Sequence, residues 1–333
     1  MNYPIDFVIT WLDPTDENWI AARREYKPES DEAGGTVRYR DWELLRYWFR
    51  SVEKFAPWVN RIFFVTYGHL PKWLNTDNEK LVIVKHEDFM PSESLPTFNS
   101  NAIELCFSMI NDLSEHFVYF NDDTFIVNKT SQEDFFVAGL PADTFGWNCV
   151  SAKANNSMIE HIILNDMEIL AKHFDKKQVQ KKQIGKMLSI KNGSIMIKSF
   201  LLFPWKYFVG IENPHVAQPY LKSGLKELWE KEGEALLGTV NTKFRSKNDY
   251  SLWLARYWNL VKNNYVLKSR KYMAYYELKD DNSKLFEQIR QNRLKSICIN
   301  DNDMIKDFDA VKKSLLTFFD SLCSEPSSFE MPE

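Results

Sequence analysis

The sequence predicts an α/β fold, a Rossmann-like mixed sheet flanked by helices, with a mainly helical elaboration in the second half of the chain. Three observations carry this. Apolar, strand-like runs alternate with helix-spaced segments through residues 5–120. The runs are nearly continuous in apolar residues, as in strands buried on both faces. Polar residues gather directly after each run, at the strand ends where open α/β sheets hold ligands.

The elements follow in order. Ile5 to Leu12 is the first strand. Between Asp41 and Phe55, Leu45, Trp48, Val52 and Phe55 recur at helical spacing, and Pro57 stops the helix. Arg61–Thr66 and Leu81–Val84 read as the second and third strands, separated by turn-rich sequence. The next helix is expected to start at Asn101, as cap, with Glu104 completing a capping-box-like pair. Phe117–Phe120 is the fourth strand, and residues 155–193 read as helical and rich in Lys and Gln. Phe200–Phe203 reads as a buried strand or helix turn, and the tail after Ser324, with its prolines and serines, as disordered.

A chain of 333 residues, 44% hydrophobic, buries a substantial core without a covalent staple. Its net charge of -4, with charged residues of both signs mixed throughout, argues against a nucleic-acid partner held by counterion release. Phosphate chemistry here needs local basic residues or a metal. Cys106, Cys149, Cys298 and Cys323 fall at no zinc or redox spacing and read as free thiols. No secretory segment and no apolar run of about 20 residues is present, so the expectation is a cytoplasmic protein, soluble or peripheral at the inner face of the plasma membrane. The composition is compatible with a homo-oligomer.

Acidic and polar groups mark the strand ends: Asp13 after the first, Thr66 to His69 after the second, His86-Glu87-Asp88 after the third, and Asn121-Asp122-Asp123 after the fourth. The last is the sharpest, because a strand delivers adjacent carboxylates onto a loop where they can hold a hard cation against phosphate oxygens. Asn-Asp-Asp also forms an ordinary turn, and both readings stand. Arg38-Tyr39-Arg40-Asp41, at the mouth of the first helix, suits an anion through guanidinium fork geometry and free backbone N–H groups. Equally, Arg40 can pair with a neighbouring carboxylate.

A long ordered stretch resembles the second signature region of the Stealth family of capsular-polysaccharide phosphotransferases. It runs from Arg38-Tyr39-Arg40-Asp41 through Arg50–Val59, Ile62–Thr66, Pro71–Asn75, His86-Glu87-Asp88 and Leu95–Glu104 to Phe120–Asp123. Ile5–Asp13 resembles the first region, with Leu12 and Pro14 where Val and Gly are usual; Trp42 stands where relatives usually have Asn. Asn213-Pro214-His215 resembles the third region and Phe244–Tyr250 the fourth.

The resemblance implies a GT-A-type sheet and a sugar-1-phosphate transferase. Such an enzyme takes a nucleoside-diphosphate sugar donor and a glycan acceptor, lipid-linked in capsule synthesis, and uses a divalent cation, magnesium. It implies metal ligation by Asp122, Asp123 and Asp249, phosphate neutralisation by Arg38 and Arg245, and His215 as general base. Asp13, Arg40, Asp41, Thr66, Asn99, Asn101, Glu104 and Asn121 would contact substrate. Residues 1–140 would form the nucleotide-sugar-binding core, 141–265 a helical elaboration returning to the active site, 266–324 a C-terminal helical region and 325–333 the disordered tail. Two alternatives remain open: a metal-dependent glycosyltransferase that releases a nucleoside diphosphate, and a non-catalytic carbohydrate-binding protein suggested by the 15% aromatic content.

Overall fold

In a computed structural model describing residues 3–26, 40–154, 157–302 and 304–332, the apolar runs become the middle of a five-stranded sheet. Strand β1 (Ile5–Thr10) is followed by helices α1 (Glu17–Tyr26) and α2 (Leu45–Phe55), strands β2 (Ile62–Thr66) and β3 (Leu81–Lys85), helix α3 (Ser100–Leu105) and strand β4 (His116–Phe120). Short strands β5 (Thr124–Ile126), β6 (Phe136–Val137) and β7 (Leu140–Asp143) precede helices α4 (Met158–His173), α5 (Lys176–Met187) and α6 (Ile195–Leu202). Strand β8 (Gln218–Leu221), helices α7 (Lys222–Val240) and α8 (Trp253–Val261), and strands β9 (Val266–Leu267) and β10 (Met273–Glu277) come next. Helix α9 (Ser283–Arg290), strand β11 (Ser296–Asn300) and helix α10 (Phe308–Leu322) complete the chain.

The central sheet has the order β3-β2-β1-β4-β8, parallel except for β8, which runs antiparallel to β4. After β1 the chain builds outward to β3, then returns to place β4 on the other flank of β1. That reversal is the switch point, and it opens a crevice beyond Thr10 and Phe120. Alternation along β1 serves two cores. Phe7 and Ile9 pack with Trp48, Phe49 and Val52 of α2 and with Leu315 and Phe319 of α10. Val8 points to the opposite face, among Leu105, Leu228 and Trp258. Asp6, fully buried in this strand, accepts from Asn60 Nδ2 at 2.7 Å and from the Ser114 amide at 2.8 Å, which satisfies the charge.

Several expectations are corrected. Helix α2 starts at Leu45 rather than near Asp41, because Asp41 Oδ1 captures the Glu43 N–H at 2.7 Å and Glu43 turns left-handed at φ 57°. The cap of α3 is Asn99, whose side chain accepts the Asn101 N–H at 3.0 Å, so Glu104 is left free for another use. Region 155–193 is helical over α4 and α5, with 155–156 outside the described residues. Segment 266–324 is not purely helical: β10 and β11 pair with each other and β11 pairs with β5, extending the loop after β4 into a second sheet. Phe200 and Leu201 are exposed rather than buried.

The tail is not disordered over its described part. Glu330 forms a two-point pair with Arg50, Nε to Oε1 at 2.7 Å and Nη2 to Oε2 at 2.8 Å, and the backbone of Glu330 bridges to Leu74. Phe329 is buried against Phe49, with ring centroids 5.2 Å apart. Proline and serine content suggested disorder, but one aromatic residue with a prepared slot outweighs it. Phe329→Ala should therefore cost about 3–5 kcal/mol, read as a shifted denaturation midpoint.

A buried ion pair ties the elaboration to the sheet. Arg256, on α8, donates to both oxygens of Asp143, Nε to Oδ2 at 2.7 Å and Nη2 to Oδ1 at 2.9 Å, and also to the Glu212 carbonyl at 2.8 Å. Gln218 of β8 donates to the same carboxylate at 2.9 Å. Arg256→Met should destabilise by about 3–5 kcal/mol, since it strands a buried carboxylate. Recovery of part of that loss in Arg256→Met with Asp143→Leu, measured by urea unfolding, would show that the stranded charge is the cause.

Candidate active site

The crevice at the switch point is walled by the loop after β4. Thr124 donates its amide to the Asn121 carbonyl at 3.1 Å and its hydroxyl at 2.9 Å, closing a tight turn that projects Asp122 and Asp123. The turn is clamped from behind, because β5 pairs with β11 and the Ile299 amide donates to the Asp123 carbonyl at 2.8 Å. The Cys298 thiol donates to Asp123 Oδ2 at 3.2 Å, while Asp123 Oδ1 is buried with no hydrogen-bond partner. Burial first, and Asp123 second, push the Cys298 thiol far up, so it stays protonated as a donor.

Opposite stands His215. Its backbone is left-handed at φ 46°, held by its own amide donating to Asn213 Oδ1 at 3.0 Å. The ring lies between Trp253 and Tyr275, with centroids 5.8 and 5.7 Å away, and Nε2 is 3.8 Å from Asp123 Oδ2. The third wall comes from α3. Arg245 Nε donates to Ser100 Oγ at 3.1 Å and interacts electrostatically with both Glu104 and Asp122. Tyr119 hydrogen-bonds Thr10 Oγ1 at 3.0 Å and also Glu104, so the ends of β1 and β4 reach the same group.

The crevice is strongly acidic for its size. Asp122, although accessible to solvent, is pushed up to about 7, first by the protein wall around it and then by Asp123, with Asp41 adding and Arg245 opposing. Glu104 is also raised, by burial first, with Arg245, Tyr119, Ser100 and His215 pulling the other way. Two adjacent carboxylates resist sharing full charge unless a cation or a cationic side chain compensates.

The structure thus brings Asp122, Asp123, His215, Arg245, Glu104 and Asp41 to one crevice. Other predicted contacts lie elsewhere or are already engaged. Asp249 is buried, and its carboxylate accepts from Asn99 Nδ2 at 2.8 Å, Asn101 Nδ2 at 3.2 Å, and the Ser246 amide and hydroxyl at 3.1 and 2.9 Å. Asn99 and Asn101 are therefore spent on pinning the 244–250 loop, which delivers Arg245. Thr66 is buried and spends its hydroxyl on the Gly68 amide and the His69 carbonyl, both at 2.8 Å. Asp13 Oδ1 takes the Thr15 amide and hydroxyl, at 2.8 and 2.6 Å, while its own amide donates to His69 Nε2. Arg40 pairs with Asp301 at 3.6 Å, and Asn121 contributes its carbonyl to the turn. Arg38 lies outside the described residues.

Cys298, Tyr275, Trp253 and Ser100 were missed. A usable signal existed for Cys298: the apolar run Ile297-Cys298-Ile299 reads as a strand, although not as one that pairs next to Asp123. As read from spacing, the four cysteines are free thiols. Beside His215 a recess of about 310 Å³ is lined by Asn148, Glu160, Asn213 and Trp253 among others. Its wall requires Gly210, at φ 134°, since a Cβ there would meet the Asn148 carbonyl oxygen at 2.6 Å.

An α/β sheet with paired acids at its switch point, facing a histidine and an arginine, has its polar groups where open α/β enzymes place their ligand edge. The chain belongs to the Stealth family: conserved region 1 matches residues 3–31, conserved region 2 residues 38–142 and conserved region 4 residues 287–333. The fourth region is thus the C-terminal β11–α10 segment and tail, not 244–250. Similar proteins include the capsular polysaccharide phosphotransferase WcwK of Streptococcus pneumoniae, 40% identical over 98% of both chains. The exopolysaccharide phosphotransferase cps2G of Lactiplantibacillus plantarum is 34% identical over 98% of this chain and 96% of its own. Among solved structures, the galactosyltransferase LgtC is 11% identical over 98% of both chains, with a TM-score of 0.40.

Proposed function

We propose that the protein transfers a sugar-1-phosphate from a nucleoside-diphosphate sugar to a hydroxyl of a glycan acceptor in capsular polysaccharide synthesis. The observation that carries this is the meeting of Asp122 and Asp123 with His215 and Arg245 in one crevice, in a chain 40% identical to a named capsular phosphotransferase. The acceptor oxygen attacks the sugar-linked phosphorus, its proton passes to His215 Nε2, and the bond from that phosphorus to the bridging oxygen breaks. The products are a glycosyl phosphodiester and a nucleoside monophosphate. Arg245 neutralises phosphate charge, Trp253 and the amides of the adjoining recess orient the acceptor, and Tyr275 and Trp253 hold the imidazole edge-on.

The donor set fits magnesium at the acids. Asp122 and Asp123 offer hard carboxylate oxygens, and the buried Asp123 Oδ1 has no protein partner. Asp123, His215 and Cys298 place ligand atoms within 4.8 Å of one another, but a protonated thiol and an imidazole are poor magnesium ligands, and Cys298 is better read as fixing the Asp123 rotamer. Bound there, the cation would neutralise diphosphate charge. The acceptor in this reading is a lipid-linked glycan at the inner membrane face.

Incubation with a panel of nucleotide sugars, magnesium and short glycan acceptors, followed by mass spectrometry, tests the reaction. Nucleoside monophosphate is expected, with turnover abolished by chelation. Release of diphosphate would instead make the chain an ordinary glycosyltransferase, and full activity in chelator would remove the metal.

A further inference from the structure

We propose that α6 and the turn after it form a docking surface for an anionic phospholipid bilayer. The helix buries Ile195 and Ser199 but turns a larger apolar set outward. Its small polar residue, Ser199, is buried and accepts the Trp147 amide at 2.9 Å, while Ile197, Phe200 and Leu201, at i, i+3 and i+4, face solvent. The exposure continues on both sides: Ile190 is 87% exposed, Trp205 57% and Tyr207 68%. Within 18 residues, six large apolar or aromatic side chains stand in water, more than scattered surface hydrophobics require.

The exposure is built into the structure. Lys176, itself buried, donates to the carbonyls of Leu202 and Trp205, both at 2.8 Å, and Lys177 donates to that of Pro204 at 3.3 Å and that of Phe203. These lysines tie off the C-terminal end of α6 and fix the turn that presents Trp205 and Tyr207.

Charge says what covers the face. Residues 176–211 contain eight lysines and no acidic residue, in a chain whose net charge is -4. Lys181, Lys182, Lys191, Lys198 and Lys206 are exposed, and Lys181 follows Lys177 by one helical turn on the side of α5 that meets the end of α6. Exposed aromatic and aliphatic tips ringed by lysines, with no acid among them, match the headgroup region of an anionic bilayer. A soluble partner of ordinary surface composition would not call for a 36-residue stretch with eight lysines and no acid.

The surface is continuous with the recess beside His215. Lys198 Nζ donates to Asn148 Oδ1 at 3.2 Å, and the Asn148 amide donates to the Gly210 carbonyl at 3.1 Å. Asn148 lines that recess, so a protein seated on this face would open its crevice next to the lipid headgroups.

Co-sedimentation of the full chain with vesicles tests the proposal, using phosphatidylglycerol mixed with phosphatidylcholine against phosphatidylcholine alone. Binding is expected only to the anionic vesicles, and should weaken as salt rises. Phe200→Ser with Leu201→Ser and Trp205→Ser should lower the partition coefficient at least about 10-fold, as should Lys181→Glu with Lys206→Glu. Both variants should keep the wild-type circular dichroism and the wild-type rate on a free glycan. Vesicle binding by a preparation that releases no nucleotide still supports the surface, which rests on none of the reaction chemistry. No binding by the wild type, or equal binding by both variants, overturns it. A dimer in analytical ultracentrifugation that the apolar variant abolishes, without any vesicle binding, would assign the face to a second copy of the chain and overturn it as well.

Discussion

Asp123→Asn is expected to lower nucleotide release at least about 100-fold, equivalent to about 2.7 kcal/mol of transition-state stabilisation, with the fold intact. The fold should survive because the Asp123 backbone, not its carboxylate, makes the ladder contact to Ile299, and an amide oxygen can still accept from Cys298. What is lost is charge at Oδ1, the buried oxygen that no protein group satisfies. Asp122→Asn should behave similarly, since the two acids act on the same diphosphate. The decisive control is magnesium titration. If the variants lose electrostatic stabilisation, raising magnesium should recover part of the rate, because weaker ligation is met by mass action. Unimpaired turnover in both variants would remove the acids from the reaction.

Cys298→Ala provides a contrast of smaller size. It deletes a donor to Asp123 without deleting charge, so a modest fall in rate with unchanged stoichiometry is the expected outcome if the thiol only orients the carboxylate.

The central sheet was legible because its strands are unambiguous: Phe7-Val8-Ile9 and Ile62–Val65 have no amphipathic alternative, and the polar residues after each strand announce a ligand edge. Asp122 and Asp123 were legible as adjacent acids at a strand end, Arg245 and His215 as candidates through the family resemblance, and the fold brings them together. Legibility failed wherever a polar residue serves another polar residue. Asp249, Asn99 and Asn101 look like ligands in sequence, yet they satisfy each other in the interior, a pairing set only by the approach of the 244–250 loop to α3. Thr66 and Asp13 are engaged for a local reason: a hydroxyl or carboxylate two residues before a free amide is captured by its own turn. Long-range strand pairing was equally hidden. Nothing in Ser296–Asn300 alone says that it joins β5 and so sets Cys298 against Asp123.

His215 and Arg245 should separate kinetically, because one moves a proton and the other holds charge. Removing a general base typically costs about 10²–10⁴-fold in rate. His215→Ala should therefore depress turnover on that scale while donor affinity stays near wild type. Backbone geometry adds a complication, since the residue sits at φ 46°, where alanine is strained by about 1–2 kcal/mol. His215→Asn avoids it, because asparagine tolerates this conformation and equally lacks a base. Both variants should show the same kinetic defect if the imidazole does the work; recovery of rate in the asparagine variant would mean that only the loop conformation mattered. Arg245→Ala should instead raise the donor dissociation constant as well as lower the rate, since its guanidinium interacts electrostatically with Asp122 and Glu104 and would do the same with a phosphate. Arg245→Lys, which keeps charge but not the fork, should recover more of the binding than of the rate. An unchanged donor affinity in Arg245→Ala would assign the arginine to holding Ser100 and Glu104 in place, and leave the phosphate charge to the metal and the backbone.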